Sequence, residues 1–237
     1  MFGIVTGGTA ALIMAGYNTM APRSQVYGRT FIGAKNGGCQ HVALTFDDGP
    51  NDPHTLHLLD LLARYEVRGT FFLIGRFAKQ RPDIVRAIAQ AGHAIGNHTY
   101  THPNLIFKST GELSREIVDC QKALQDALGS APAPLFRPPW GARTPSVLRT
   151  VRAHGYEPVM WSVSGLDWSA QTAHDIESKI MLQLRAGDVV LLHDGGHRWL
   201  GVDRSKSVEA AEKIIVRCKD RGLGFQTVPE MMAASAF

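Results

Sequence analysis

Short apolar runs alternate along this chain with segments whose apolar residues recur at helical spacing. The runs lie at 41–46, 69–75, 94–98, 135–137, 158–163, 188–193 and 224–228, several of them bounded by Gly or Pro. Runs of that length between turn signals predict buried strands. The segments between them place apolar residues on one helical face. Leu56, Leu59, Leu62 and Ala63 mark one, and Ile84, Val85, Ile88 and Ala89 a second. Leu113, Ile117, Cys120, Leu124 and Leu128 mark the clearest. Val147, Leu148 and Val151, then Ile176, Ile180 and Leu184, then Val208, Ala211, Ile214 and Ile215 complete the set. Repeated strand–helix alternation predicts an α/β fold with a mostly parallel sheet. About seven such units in one chain predict a closed or nearly closed barrel. A doubly wound open sheet is the alternative, but no glycine-rich phosphate loop follows the first run.

Polar residues cluster at the ends of these runs. Asp47 and Asp48 end the first, His98 the third and Arg137 the fourth; Asp167 follows the fifth and His193 ends the sixth. In a parallel barrel the strand ends open onto one face, where active sites sit. Residues far apart in sequence are therefore expected to meet there.

Composition narrows the class. A chain of 237 residues fits one barrel-type domain or two small ones. With 44% hydrophobic and 19% charged residues it can bury a sizeable core, and a disordered chain is excluded. The net charge of +4 admits anionic partners such as a cell-wall polymer or a membrane surface. No dense Lys/Arg stripe is present, so nucleic acid is not expected as a partner. Cys39, Cys120 and Cys218 form neither a disulfide framework nor a Cys-x-x-Cys metal site, and read as buried or free thiols. Residues 1–38 read as an apolar N-terminal segment and a linker or irregular lead-in, ahead of a catalytic domain at 39–237. Phe2 to Tyr17 carries no charge. It is shorter than the ~20 apolar residues of a spanning helix and lacks the basic start of a signal peptide. The options are a trimmed membrane anchor, a signal remnant or a helix packed on the domain.

The chemistry starts at Thr45-Phe46-Asp47-Asp48-Gly49-Pro50. Adjacent strand side chains point to opposite faces, so two acids share a site only where the backbone bends. The Gly-Pro pair supplies a bend signal. Two carboxylates forced together favour a cation between them. His98 and His102 stand four apart, which on a helical turn puts both imidazoles on one face. With Asp48 they make a two-His, one-carboxylate set that leaves positions open for water and substrate. Such a set suits zinc, with cobalt, nickel or iron as alternatives. Asp47 is then the candidate base. Asn97, Thr99 and Thr101 are expected to shape the loop by local hydrogen bonds. Arg137, before two prolines, has the donors to hold a carboxylate. Taken alone, His193 is either a site residue or a satisfied core histidine, and Trp168 either a sugar-stacking or a core aromatic. Of the other histidines, only His197 lies near the expected site loop.

The stretches 45–50, 97–103, 137–141 and 191–194, in this order, resemble the polysaccharide deacetylases of carbohydrate esterase family four. The resemblance runs from about His41 to the C-terminus. It implies a distorted (β/α)7 barrel, one unit short of the common eight. It implies a metal triad of Asp48, His98 and His102, with Asp47 as base and Arg137 set against it. The backbone N–H at Trp140 would stabilise an oxyanion, and Trp140 would be a substrate-binding residue where the family usually has Tyr. His193 would be the general acid, its tautomer fixed by Asp167, and Leu192 would line a pocket for the acetyl methyl. The match around Asp167 is partial, because Ser164 stands where a second Asp is often found.

The expected function is a metal-dependent hydrolase that removes N-acetyl groups from N-acetylglucosamine units of peptidoglycan or chitin-type oligomers. Its expected location is the cell envelope or outside the cell, with membrane anchoring one of the options for the N-terminus. The alternatives are a hydrolase of this fold acting on a sugar-lipid formamide or a small cyclic ureide, and an inactive glycan-binding module.

Overall fold

The computed structural model describes residues 3–34 and 39–235, with backbone alone for 3–11. Phe2 and residues 35–38 of the N-terminal segments lie outside the described residues. The strands are β1 (His41–Asp47), β2 (Thr70–Leu73), β3 (Ala94–Asn97), β4 (Leu135–Phe136), β5 (Glu157–Pro158), β6 (Val163–Ser164), β7 (Val189–His193) and β8 (Gly224–Phe225). All their pairings are parallel, in the order β5-β4-β3-β2-β1-β7-β6, with β8 beside the start of β1. The sheet curls into an incompletely closed (β/α)7-type barrel, as the alternation predicts.

Period-two alternation sorts β1 into two cores. Val42, Leu44 and Phe46 join Phe71, Leu73, Ile95, Val190 and Leu192 on the side covered by helices. Ala43 joins Phe72, Leu135, Val159 and Val189 inside the barrel. Thr45 and Asp47 continue that inner column towards the strand ends, beside Leu191 and His193 of β7 in register. The polar residues of β1 thus top a column that is apolar below.

The helices are α1 (Gly3–Met20), α2 (His54–Arg64), α3 (Gly75–Gln80), α4 (Pro82–Gln90), α5 (Thr110–Leu128), α6 (Pro145–Ala153), α7 (Ala173–Gln183), α8 (Ser205–Asp220) and α9 (Val228–Ala234). α5 is the longest of those on the barrel, and local signals define both its ends. Ser109 and Glu112 form a reciprocal capping box, and Gly129 closes the helix at φ 71.

Two predicted strands differ from the structure. The run at 158–163 splits into β5 and β6 because the carbonyls between them bind guanidiniums instead of a neighbouring strand. Val159 O and Met160 O accept from Arg137, and Ser162 O from Arg23. The run at 224–228 stops at Phe225, because Thr227 and Glu230 form a capping box that opens α9.

The segment before β1 is irregular but docked. Phe31 is fully buried and bridges Val159, and Gly33 bridges Asp188, so this stretch lies along the open edge of the barrel. No helix among the described residues is long and apolar enough to cross a membrane. Cys39 is half-buried, Cys120 and Cys218 are buried, and all three are free thiols.

Candidate active site

The strand ends surround a cleft of about 470 Å³. Asp47, Asp48, His98, His102, Trp140, Trp168, Leu191, His193 and His197 line it, with Met20, Gly141, Trp161 and Arg204. Asp47 is the last residue of β1 and points inward; Asp48 follows at φ 73. That left-handed step turns the second carboxylate to the same side as the first. The bend expected of Gly49 and Pro50 therefore begins at Asp48 itself.

His98 and His102 converge, but not on a helical turn. Residues 98–102 form a loop in which Thr99 and His102 are left-handed, at φ 67 and φ 62. Side chains replace helix bonds: the Thr99 N–H donates to Asn97 Oδ1 at 2.9 Å and the His102 N–H to Thr99 Oγ1 at 3.0 Å. Glu116 of α5 accepts from the N–H groups of Tyr100 and Thr101 and from the Thr101 hydroxyl. Asn97 and Thr101 thus tie the loop to β3 and α5.

His98 Nδ1 lies 2.7 Å from the Arg137 carbonyl oxygen. A carbonyl only accepts, so Nδ1 carries the proton and Nε2 presents a lone pair. That lone pair is 3.5 Å from Asp48 Oδ1, and His102 Nε2 is 3.2 Å from the same oxygen. Asp48 Oδ1 is buried and has no hydrogen-bond partner. Burial raises the Asp48 carboxyl, and in the absence of an ion only positive charge close by, as protonated imidazoles would supply, holds it below the usual carboxylate range. Burial, with His98 adding to it, pushes the His102 imidazole down to about 3, so it is neutral. A buried carboxylate facing imidazole lone pairs is costly unless a cation joins them. The three ligand atoms lie within 4.8 Å of one another, and this is the one such group among the described residues. Asp48, His98 and His102 can therefore hold a metal ion.

Arg137 is fully buried and braces Asp47. Its Nη1 donates to Asp47 Oδ1 and to Thr45 Oγ1, each at 2.7 Å. Nε and Nη2 donate to the Val159 and Met160 carbonyls, and the guanidinium sits 4.1 Å above the Phe72 ring. Asp47 Oδ2, the oxygen outside that bond, is 3.8 Å from His98 Nε2.

Asp167 grips His193 twice. Its Oδ1 is 2.8 Å from His193 Nδ1, and its Oδ2 accepts from the His193 N–H and the Ser207 hydroxyl. Burial would lower the His193 imidazole, but the Asp167 charge and hydrogen bond override it and raise the ring to about 9. His193 is thus an imidazolium at neutral pH, with Nε2 as its free nitrogen. Trp168 meets its ring edge-on at 5.4 Å. Ser164, at the departed position, accepts from the Leu166 N–H instead.

Trp140 is exposed and has φ 54. The N–H groups of Gly141 and Ala142 are spent on Pro138 and Pro139, whereas that of Trp140 makes no such bond among the described residues. Its ring stands edge-on to His102 at 4.4 Å, and His197 stacks on His102 at 4.9 Å.

Leu192 does not line the cleft. It is fully buried among the helix-side apolar residues, with Phe46 as its partner in register. Leu191 lines the cleft instead. His193 faces inward, so the residue two before it must do so too and the residue between must not. That signal was present in the sequence.

A buried polar group also joins the Asp47–Asp48 turn to the loop after His193. Asn51 Nδ2 donates to the Asp194 and Val202 carbonyls, and the Thr55 hydroxyl donates to Asp194 Oδ2. Burial pushes the Asp194 carboxyl up to about 7, against the lowering pull of Thr55. No spacing rule singles these three out, because their partners come from the fold.

Similarity to known proteins fits this geometry. The polysaccharide deacetylase profile matches residues 34–159. A peptidoglycan-N-acetylglucosamine deacetylase of Bacillus cereus is 38% identical over 211 residues, covering 88% of this chain and 74% of that protein. A chitooligosaccharide deacetylase of Sinorhizobium fredii is 35% identical, covering 81% of this chain and 92% of that protein. The crystal structure of a peptidoglycan N-acetylglucosamine deacetylase superposes with a TM-score of 0.78 at 36% identity, covering 85% of this chain and 92% of that one.

Proposed function

The chain belongs to the polysaccharide deacetylase family, and we propose that it is a metal-dependent hydrolase that releases acetate from N-acetylglucosamine units of peptidoglycan or chitin-type oligomers. The observation that carries the reading is the buried, unpartnered Asp48 oxygen facing His98 and His102 beside a second carboxylate, Asp47. Those three residues would hold the ion, and their mixed imidazole–carboxylate set favours zinc. A divalent cation there supplies Lewis acidity and eases deprotonation of the attacking water.

The chain's own residues supply the rest. Asp47, oriented by Arg137, takes a proton from the water as the water oxygen attacks the acetamide carbon. The Trp140 N–H donates a hydrogen bond to the developing oxyanion. Leu191 gives the acetyl methyl an apolar contact. The carbon–nitrogen bond then breaks as His193 donates its proton to nitrogen, leaving acetate and a free amine. Asp167 keeps His193 charged and oriented for that transfer. Trp168, half-exposed at 51%, presents an aromatic face to a sugar ring. The action of the relatives supports a cell-envelope location, and the exposed Leu12, Ile13, Met14 and Tyr17 of α1 support contact with a membrane surface.

A substrate panel tests the reading. The protein is expected to release acetate from chitotetraose or peptidoglycan, and to leave a sugar formamide and a cyclic ureide untouched. Turnover of either of those two, with no acetate from any glycan, would overturn it.

A further inference from the structure

Arg143 is fully buried, which lowers its guanidinium from the ordinary value, and no carboxylate among the described residues pairs with it. A buried guanidinium is costly unless its donors are satisfied. Here backbone carbonyls satisfy Nη1 and Nη2, while Nε is left without a partner. Nη1 donates to Gly141 O at 3.0 Å, and Nη2 to Ala21 O at 2.6 Å, Ser24 O at 2.8 Å and Pro22 O at 3.4 Å. The Arg143 N–H donates to Thr19 O at 3.1 Å. Most of these acceptors belong to the last turn of α1 and the residues after it, where a helix leaves unpaired carbonyls and partial negative charge. Arg143 is therefore a helix cap supplied by a segment 122 residues downstream.

Two further residues hold the same end. Arg23 donates to Ser162 O, and the Tyr27 hydroxyl to Ala15 O. The cap ties α1 to the turn that carries Trp140 in its left-handed conformation. Met20, the final residue of α1, is 46% exposed and lines the same cleft as Asp48, Trp140 and His193.

We propose that the C-terminal end of α1 is a wall of the substrate cleft, that Met20 contacts the sugar bound beside Trp140, and that Arg143 is the positioning residue that sets this wall. The substrate class rests on the deacetylase reading above. A thioether is apolar and adaptable, which suits the C–H face of a hexose. A thioether neither moves a proton nor carries charge, so the contribution of Met20 is to binding.

The test uses the full chain with Met20→Ala, Arg143→Gln and Arg143→Lys. Binding of chitotetraose is read by tryptophan fluorescence, and docking of α1 by the rate of trypsin cleavage after Arg23. Met20→Ala is expected to weaken binding about fivefold, the loss expected for a partly buried apolar contact. Its cleavage rate should match that of the parent. Arg143→Gln is expected to weaken binding at least as much and to speed cleavage more than tenfold. Arg143→Lys, which keeps the charge but has fewer donors, should fall between and serves if the Gln variant does not fold. Unchanged binding in Met20→Ala, or equal cleavage rates in folded Arg143 variants, would overturn the proposal. A parent that binds chitotetraose but releases acetate from neither chitotetraose nor peptidoglycan would sink the deacetylase reading and leave the wall standing; a parent that binds no glycan would sink both.

Discussion

Leu191 and Leu192 are chemically identical, and only their places on β7 decide what each does. Leu192→Ala removes a buried side chain among helix-side residues and should cost about 2–5 kcal/mol of stability in denaturant titrations. It should leave substrate affinity near the parent value. Leu191→Ala opens the cleft wall, and kcat/KM should fall about tenfold with a smaller loss of stability. His193 offers a second test at this scale. Its raised value near 9 means the folded state favours the proton. That contribution to stability is complete below the ordinary histidine value of about 6.5 and is lost as pH rises through about 9. As the proposed acid, His193 should give kcat/KM an alkaline limb near the same pH. Asp167→Asn removes the charge that raises it, so the limb should move to lower pH, with a smaller maximum rate. An unmoved limb would show that another group sets it.

At the scale of elements, strand ends and the loops that leave them form the site, and this explains what was legible in the sequence. Apolar runs and helical spacing located the barrel elements well, because each buries a face whose period is written in residue type. The strand-end carboxylates, histidines and Arg137 were found by their position in the alternation. The conformation around them was not legible. His98 and His102 converge through two left-handed residues and the brace from Glu116, and no spacing rule encodes that brace. The break at 159–162 was hidden for the same reason, since the competing donors, Arg137 and Arg23, come from distant segments. The exchange of Leu191 for Leu192 was an error of register that period-two reasoning corrects. The turn after β1 and the loop after β7 touch so closely that they make their own prediction. A Cβ on Gly195 would fall inside van der Waals contact with the Asp48 carbonyl oxygen. Gly195→Ala should shift Asp48 and weaken metal binding tenfold or more in competition with a chromogenic chelator, while far-ultraviolet circular dichroism stays that of the parent.

For the whole molecule, an apolar column inside the barrel supports a polar rim, and the N-terminal segment docks along the open edge. The barrel thus gathers carboxylates, imidazoles and a guanidinium, contributed from β1 to β7, into one small cleft. Their mutual arrangement makes physical sense around a divalent cation. The most direct measurement is acetate release from chitotetraose by protein stripped of metal, confirmed so by elemental analysis, and then titrated with zinc. Activity is expected to be absent at first and to rise to a plateau at about one ion per chain, and His98→Ala should neither bind the ion nor recover. Full activity in the metal-free protein would contradict the account.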